Sequence, residues 1–122
     1  MGTLDNTIGE AERLYREMRA LAQAGDTEGK NQIVKLRSRY AMLMLEILQA
    51  MKGDERLQRD PALKAEFETR FFAMRSALAE HQAKWRLQAI ESDTQGYLQS
   101  AAGLNTVQDD FYRWVGTNFS LH

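Results

Sequence analysis

Cysteine is missing from all 122 residues, which excludes disulfides, thiolate nucleophiles and Cys-ligated metals. Histidine is nearly as scarce: His81 and His122 are the only two. A di-iron or zinc site in a helical bundle needs several ligands at fixed spacing, such as two Glu-x-x-His motifs on separate helices, and neither motif occurs. A serine triad needs a histidine base held by a carboxylate, and no signature surrounds any serine. The segment GDTEGK at 25–30 lacks the spacing of a phosphate loop. No metal, cofactor or catalytic residue is expected.

Excess charge is also lacking. Sixteen basic and seventeen acidic side chains leave a formal charge of −1, so no global field draws the chain to nucleic acid or an anionic membrane. Four cations, Lys30, Lys35, Arg37 and Arg39, cluster on one helix without interleaved aromatics, which reads as a solvated face. The opening MGTLDNTIGE has neither the basic nor the apolar region of a secretory signal, and Asn6 stands where a myristoylation signal after Gly2 wants Ser or Thr. A cytoplasmic location, with neither nucleic acid nor membrane as partner, is the expectation.

One proline and eight glycines are too few for a β-sandwich, whose turns recur about every 8–12 positions. What remains is rich in Ala, Leu, Glu, Gln, Arg and Met, all good helix formers, and no stretch alternates polar and apolar residues. The spacing predicts an all-α protein: a single antiparallel helical-bundle domain over 1–122, with three long helices and a short C-terminal one. The first, over 4–24, carries Leu4, Ile8, Ala11, Tyr15, Met18 and Leu21 on one face, with Gly25 as its stop and Asp26 or Thr27 as the next cap. The second covers 27–52. After a polar connector, Asp60-Pro61 starts the third, the aspartate capping and the proline taking the first helical position. Its stripe of Leu63, Phe67, Phe71, Met74, Leu78, His81 and Trp85 steps by three or four like a coiled-coil seam. The polar run 92–96 is either a turn or part of a continuing helix; an unbroken helix over 61–102 is preferred, kinked near Gly96 and about 63 Å long. Gly103 followed by Thr106 and Asp109 reads as a stop and a capping box. The last helix, 106–119, gathers Phe111, Tyr112, Trp114 and Phe119, with Leu121 beyond it.

The stretch YAMLMLEILQAM at 40–51 raises the functional question. Its twelve residues are too few to span a bilayer, which takes about 20. On a helical wheel Ile33, Leu36, Tyr40, Leu43, Met44, Ile47, Leu48 and Met51 fill one broad face. Val34, Ala41 and Leu45 extend it, and Met42 lies beside the polar wedge of Lys35, Arg39 and Glu46. The apolar arc, about 220°, is about twice what lying on one core requires. Such a helix either sits centrally in the bundle or shares its surplus with a partner. The short aromatic last helix likewise either closes the bundle or is a detachable flap. A small helical mutase or lyase is a further alternative, since Arg37, Arg39, Arg70 and Arg75 could converge with a glutamate.

In layout the chain resembles the flagellar type III export chaperones of the FlgN and FliT kind. The resemblance rests on the first helix, ALAQAGDTEGKNQIVKLRSRYAMLMLEI at 20–47, RDPALKAEF at 59–67, His81-Gln82 on the third helix, and NTVQDDFYRWVG at 105–116. The polar, Asn-rich stripe frequent on the third helix of that group is thin here. The resemblance implies a cytoplasmic, non-enzymatic binder of unassembled flagellar subunits. The expected partner surface is Val34, Met42, Leu45, Leu87 and Ile90, with Phe111, Trp114 and Val115 over or beside it, taking a client helix in an apolar groove. A homodimer could cover the same surface, which is otherwise an aggregation hazard.

Overall fold

The computed structural model describes residues 3–119; Gly2, Leu121 and His122 lie outside them. Among the described residues every regular element is helical, in six segments: α1 (Thr3–Ala24), α2 (Thr27–Lys52), α3 (Glu55–Arg59), α4 (Pro61–Lys84), α5 (Leu87–Ser92) and α6 (Thr94–Phe119). No helix among them is long and apolar enough to cross a membrane.

Local chemistry sets most boundaries. Gly25 takes φ 73° between α1 and α2, a conformation that costs other L-residues about 1–2 kcal/mol. Asp26 then caps α2 by accepting from the Gly29 N–H, so close that a Cβ at Gly29 would meet the carboxylate at 2.8 Å. Asp54 caps α3 through the N–H groups of Arg56 and Leu57, and Asp60 caps α4 through that of Leu63, with Pro61 at the first turn. The connector foreseen as merely polar thus holds a helical turn whose Leu57 is buried.

The second half departs from the expected long third helix. The chain breaks at Trp85-Arg86 and again at Asp93, so the turn belongs near 85–93 rather than as a kink near Gly96. Asp93 accepts from the Gly96 N–H at 2.9 Å and opens α6. That helix runs through Gly103 and Thr106 without stopping: Thr106 turns its hydroxyl back to the Ala102 carbonyl instead of capping. The aromatic C-terminal segment is therefore half of a 26-residue helix, and the long helices number four among the described residues, not three.

Pairings fix the directions. Glu10 meets Arg39 at 2.9 Å, which runs α1 against α2, while Phe67 contacts Phe111 and Phe119 and His81 contacts Ser100, which runs α4 against α6. One core joins α1, α2, α3, α4 and α6, from Leu4 and Ile8 through Leu43, Ile47, Phe67, Phe71 and Met74 to Phe111 and Tyr112. A smaller cluster of Trp85, Ile90, Tyr97 and Ala101 fills the corner around α5. At the opposite pole the Arg56 guanidinium binds Asp5 and Asp54 and lies 4.4 Å over the Phe119 ring.

The two kinds of glycine predict opposite effects. Gly25→Ala is expected to lower stability by about 1–2 kcal/mol. Gly103→Ala, helical and open to solvent, should raise it by about 0.5–1 kcal/mol. Thermal midpoints that move in the same direction would contradict this reading of the two glycines.

Candidate functional site

Two features stand apart from ordinary core packing. The first is on α2. Met42 and Leu45, one turn apart, are 53% and 45% exposed, whereas their neighbours Leu43, Met44 and Ile47 are sealed. The helix therefore spends one face on the core and leaves large apolar side chains on the other. Phe72, Leu98 and Val107 are the other exposed large hydrophobic residues among those described.

The second feature is internal. A cavity of about 50 Å³ lies where α1, α2, α4 and α6 converge, lined on its polar side by Arg37, His81, Gln82, Tyr97 and Gln108. Its apolar wall includes Met18, Ile33, Leu78 and Leu104, and no Asp or Glu lines it. Arg37 reaches in from α2 and donates to the Trp85 carbonyl at 2.6 Å, one of the carbonyls left open where α4 ends. No described acid forms an ion pair with it. Burial lowers its pKa, partly offset by Tyr97, yet a guanidinium stays charged. His81 shares a 3.0 Å hydrogen bond between Nδ1 and the Ser100 hydroxyl and leans on the Tyr97 ring at 5.6 Å. Burial first, and the Arg37 charge second, push its pKa down to about 4, so the imidazole is neutral at pH 7. The Trp85 indole N–H, edge-on to Tyr97, is buried with no acceptor among the described residues. Among the described residues the cavity lining has no carboxylate, and its acceptors are neutral ones such as Gln82, Asn105 and Gln108.

Polar networks brace this interior. Tyr40 donates to Gln108 Oε1 at 2.7 Å, which leaves Tyr112 to donate to the Tyr40 oxygen at 2.6 Å. Burial raises the pKa of both phenols. Nearer the surface Tyr15 donates to Asp109 at 2.7 Å, and Arg19 forks onto the same carboxylate at 2.8 and 3.0 Å. Burial works to raise the pKa of Asp109, but the bonds from Tyr15 and Arg19 outweigh it and the net shift is downward. Arg19 also lines an open groove of about 360 Å³ that shares Ala22, Ala101 and Asn105 with the cavity. Cavity and groove thus lie on a shared set of α1 and α6 residues.

The residues expected to form one partner surface are dispersed. Met42 and Leu45 are together and exposed; Val34 and Leu87 are half-buried on α2 and α5. Ile90 is fully buried in the α5 cluster, because the break at 85–86 folds that segment inward. Phe111 and Val115 are core residues at 2% and 1% exposure, and Trp114 packs beside Phe67 under the Arg70 guanidinium. Phe111, Trp114 and Val115 are held by α6 as an integral helix, so the aromatic segment is a wall of the bundle, not a separate flap. Arg37, grouped by sequence with cations of a solvated face, is instead half-buried on the cavity, a placement that needed the turn at 85–93. The mutase alternative wanted a carboxylate beside Arg37, and none lines the cavity. Among the described residues no cluster of three or more His, Asp or Glu is placed to hold a metal ion. No protein-family model matches the chain, and neither a curated protein nor a solved structure matches it.

Proposed function

We propose that the chain is a non-enzymatic protein-binding bundle of the export-chaperone kind, holding an amphipathic client helix against the outer face of α2. The observation that supports this reading is the exposure of Met42 and Leu45 on a helix that already has a complete inner face. Leaving two large apolar side chains about half exposed one turn apart forgoes part of the burial that stabilises a fold, about 1 kcal/mol for each. A client helix laid along α2 would recover it, anchoring at i and i+3 or i+4 positions. Methionine suits the task, since its flexible thioether adapts to varied surfaces. Lys35 and Lys52 lie on either side of the pair along α2 and favour a client with acidic flanks.

The test is binding to unassembled flagellar subunits kept monomeric, followed by calorimetry. A saturable complex of about micromolar Kd is expected, weakened at least tenfold by the double change Met42→Glu and Leu45→Glu. Both positions are exposed, so circular dichroism should show the helices intact. Absence of binding, or equal binding by the variant, rejects the reading. Light scattering at two concentrations adds the other outcome: a homodimer that the same double change dissolves would give the patch to a second copy of the chain.

A further inference from the structure

The interior cavity has no role in a surface that grips a helix, and its chemistry is specific. A bundle core of this size is ordinarily filled with aliphatic groups, and Arg37, half-buried beside them, has no acid paired with it among the described residues. Here Arg37 offers five N–H donors, of which one is used among the described residues, on the Trp85 carbonyl. No acid lines the space, the only other cation there is Arg19, and Arg19 is already committed to Asp109. The lining is mixed: polar groups from α2, α4 and α6 together with the aliphatic side chains Ile33, Leu78 and Leu104.

We propose that this cavity is a binding site for a small aliphatic carboxylate, with Arg37 as the cationic anchor and Tyr97 and Gln82 beside it. The carboxylate would supply the counter-charge that the fold withholds from Arg37, and a guanidinium presents paired donors that match its two oxygens. The short alkyl part would lie against Ile33, Leu78 and Leu104, which a fully ionised oxyanion such as phosphate would leave unmatched. About 50 Å³ accommodates a few non-hydrogen atoms, which limits the ligand to the size of acetate or propionate unless its tail continues into the groove past Ala101. A neutral His81 adds no second charge, so one negative charge on the ligand suffices. This site lies in the interior and does not depend on the α2 patch.

Calorimetric titration with acetate, propionate and butyrate tests it, with inorganic phosphate and chloride as controls. Expected is saturable binding of a carboxylate with Kd of about 1 mM or tighter, and weaker binding of phosphate. Arg37→Gln should weaken it at least tenfold. Because Arg37 also holds the Trp85 carbonyl, a second variant keeps the charge and fills the space: Ala101→Leu, at the junction of cavity and groove, should abolish binding as well. Binding that survives both changes, phosphate binding in preference to carboxylates, or no saturable carboxylate binding at all would each overturn the proposal. Client binding through Met42 and Leu45 should be the same in Ala101→Leu as in the parent chain, which separates the two sites.

Discussion

Truncating Phe67 to alanine is expected to destabilise the protein by about 3–5 kcal/mol, the range for removing a large ring from a packed core. Phe67 is 0% exposed, and its ring lies 5.6 to 6.3 Å from those of Phe71, Phe111, Trp114 and Phe119. Those four rings belong to two helices, so the hole could close only if α4 and α6 shifted together. A domain of this size has about 5–15 kcal/mol in all, so the variant should be close to unfolding at 37 °C. Urea titration is the measurement: the midpoint should drop by more than about 1 M at unchanged slope. Phe72→Ala, one residue along and 40% exposed, is the control and should cost less than about 1 kcal/mol. Equal losses at the two positions would show that the aromatic cluster is not the centre of the core.

The second large effect is a pH dependence seated on His81. Its pKa in the fold, about 4, is below the value of about 6.5 it has when exposed. Between those values the unfolded chain binds a proton that the folded chain refuses, so stability is complete above about pH 6.5 and is lost as pH falls towards 4. The groups facing the ring are Arg37 from α2 and Tyr97 and Ser100 from α6, none of them acidic, so nothing there would stabilise an imidazolium. The ring is only half-buried, which reduces the effect to about 1–2 kcal/mol between pH 7 and pH 4.5. His81→Gln should remove that slope while retaining a polar contact for Ser100. Asp54, held low chiefly by Arg56, and Asp109 contribute stability that is lost as pH falls through the ordinary carboxylate range, near 4, and below it, so the slope between about pH 6.5 and pH 5 belongs to histidine. An unchanged pH profile in His81→Gln would contradict the placement of the ring.

The all-helical class, the ends of α1 and α2 and the start at Asp60-Pro61 were legible because each is written locally: a glycine that must take positive φ, an aspartate three residues before a free N–H, a proline where no N–H is needed. The break at Trp85-Arg86 was not. No Gly or Pro marks it, and the stripe Leu78, His81, Trp85 continues across it at helical spacing. What holds the bend is distant in sequence: the Arg37 guanidinium on the Trp85 carbonyl, and Trp85 and Ile90 packed against Tyr97 and Ala101. Conversely Gly103 and Thr106 looked like a stop, but their neighbours Ala101, Gln108 and Tyr112 have inward positions that only a continuous helix can satisfy. The site followed the same division. Surplus apolar surface at Met42 and Leu45 was legible by counting the wheel, while the burial of Ile90, Phe111 and Val115 depended on the misread turn.

The clasp formed by Arg56 has a practical corollary. One guanidinium touches both Asp5 and Phe119, so the first turn of α1 and the last turn of α6 lie side by side, at the pole remote from Arg37 and His81. A fluorophore or tether placed on an exposed side chain of either turn, at Asn6 or Thr117, therefore leaves the Arg37 cavity unobstructed, and protein immobilised there presents that cavity outward.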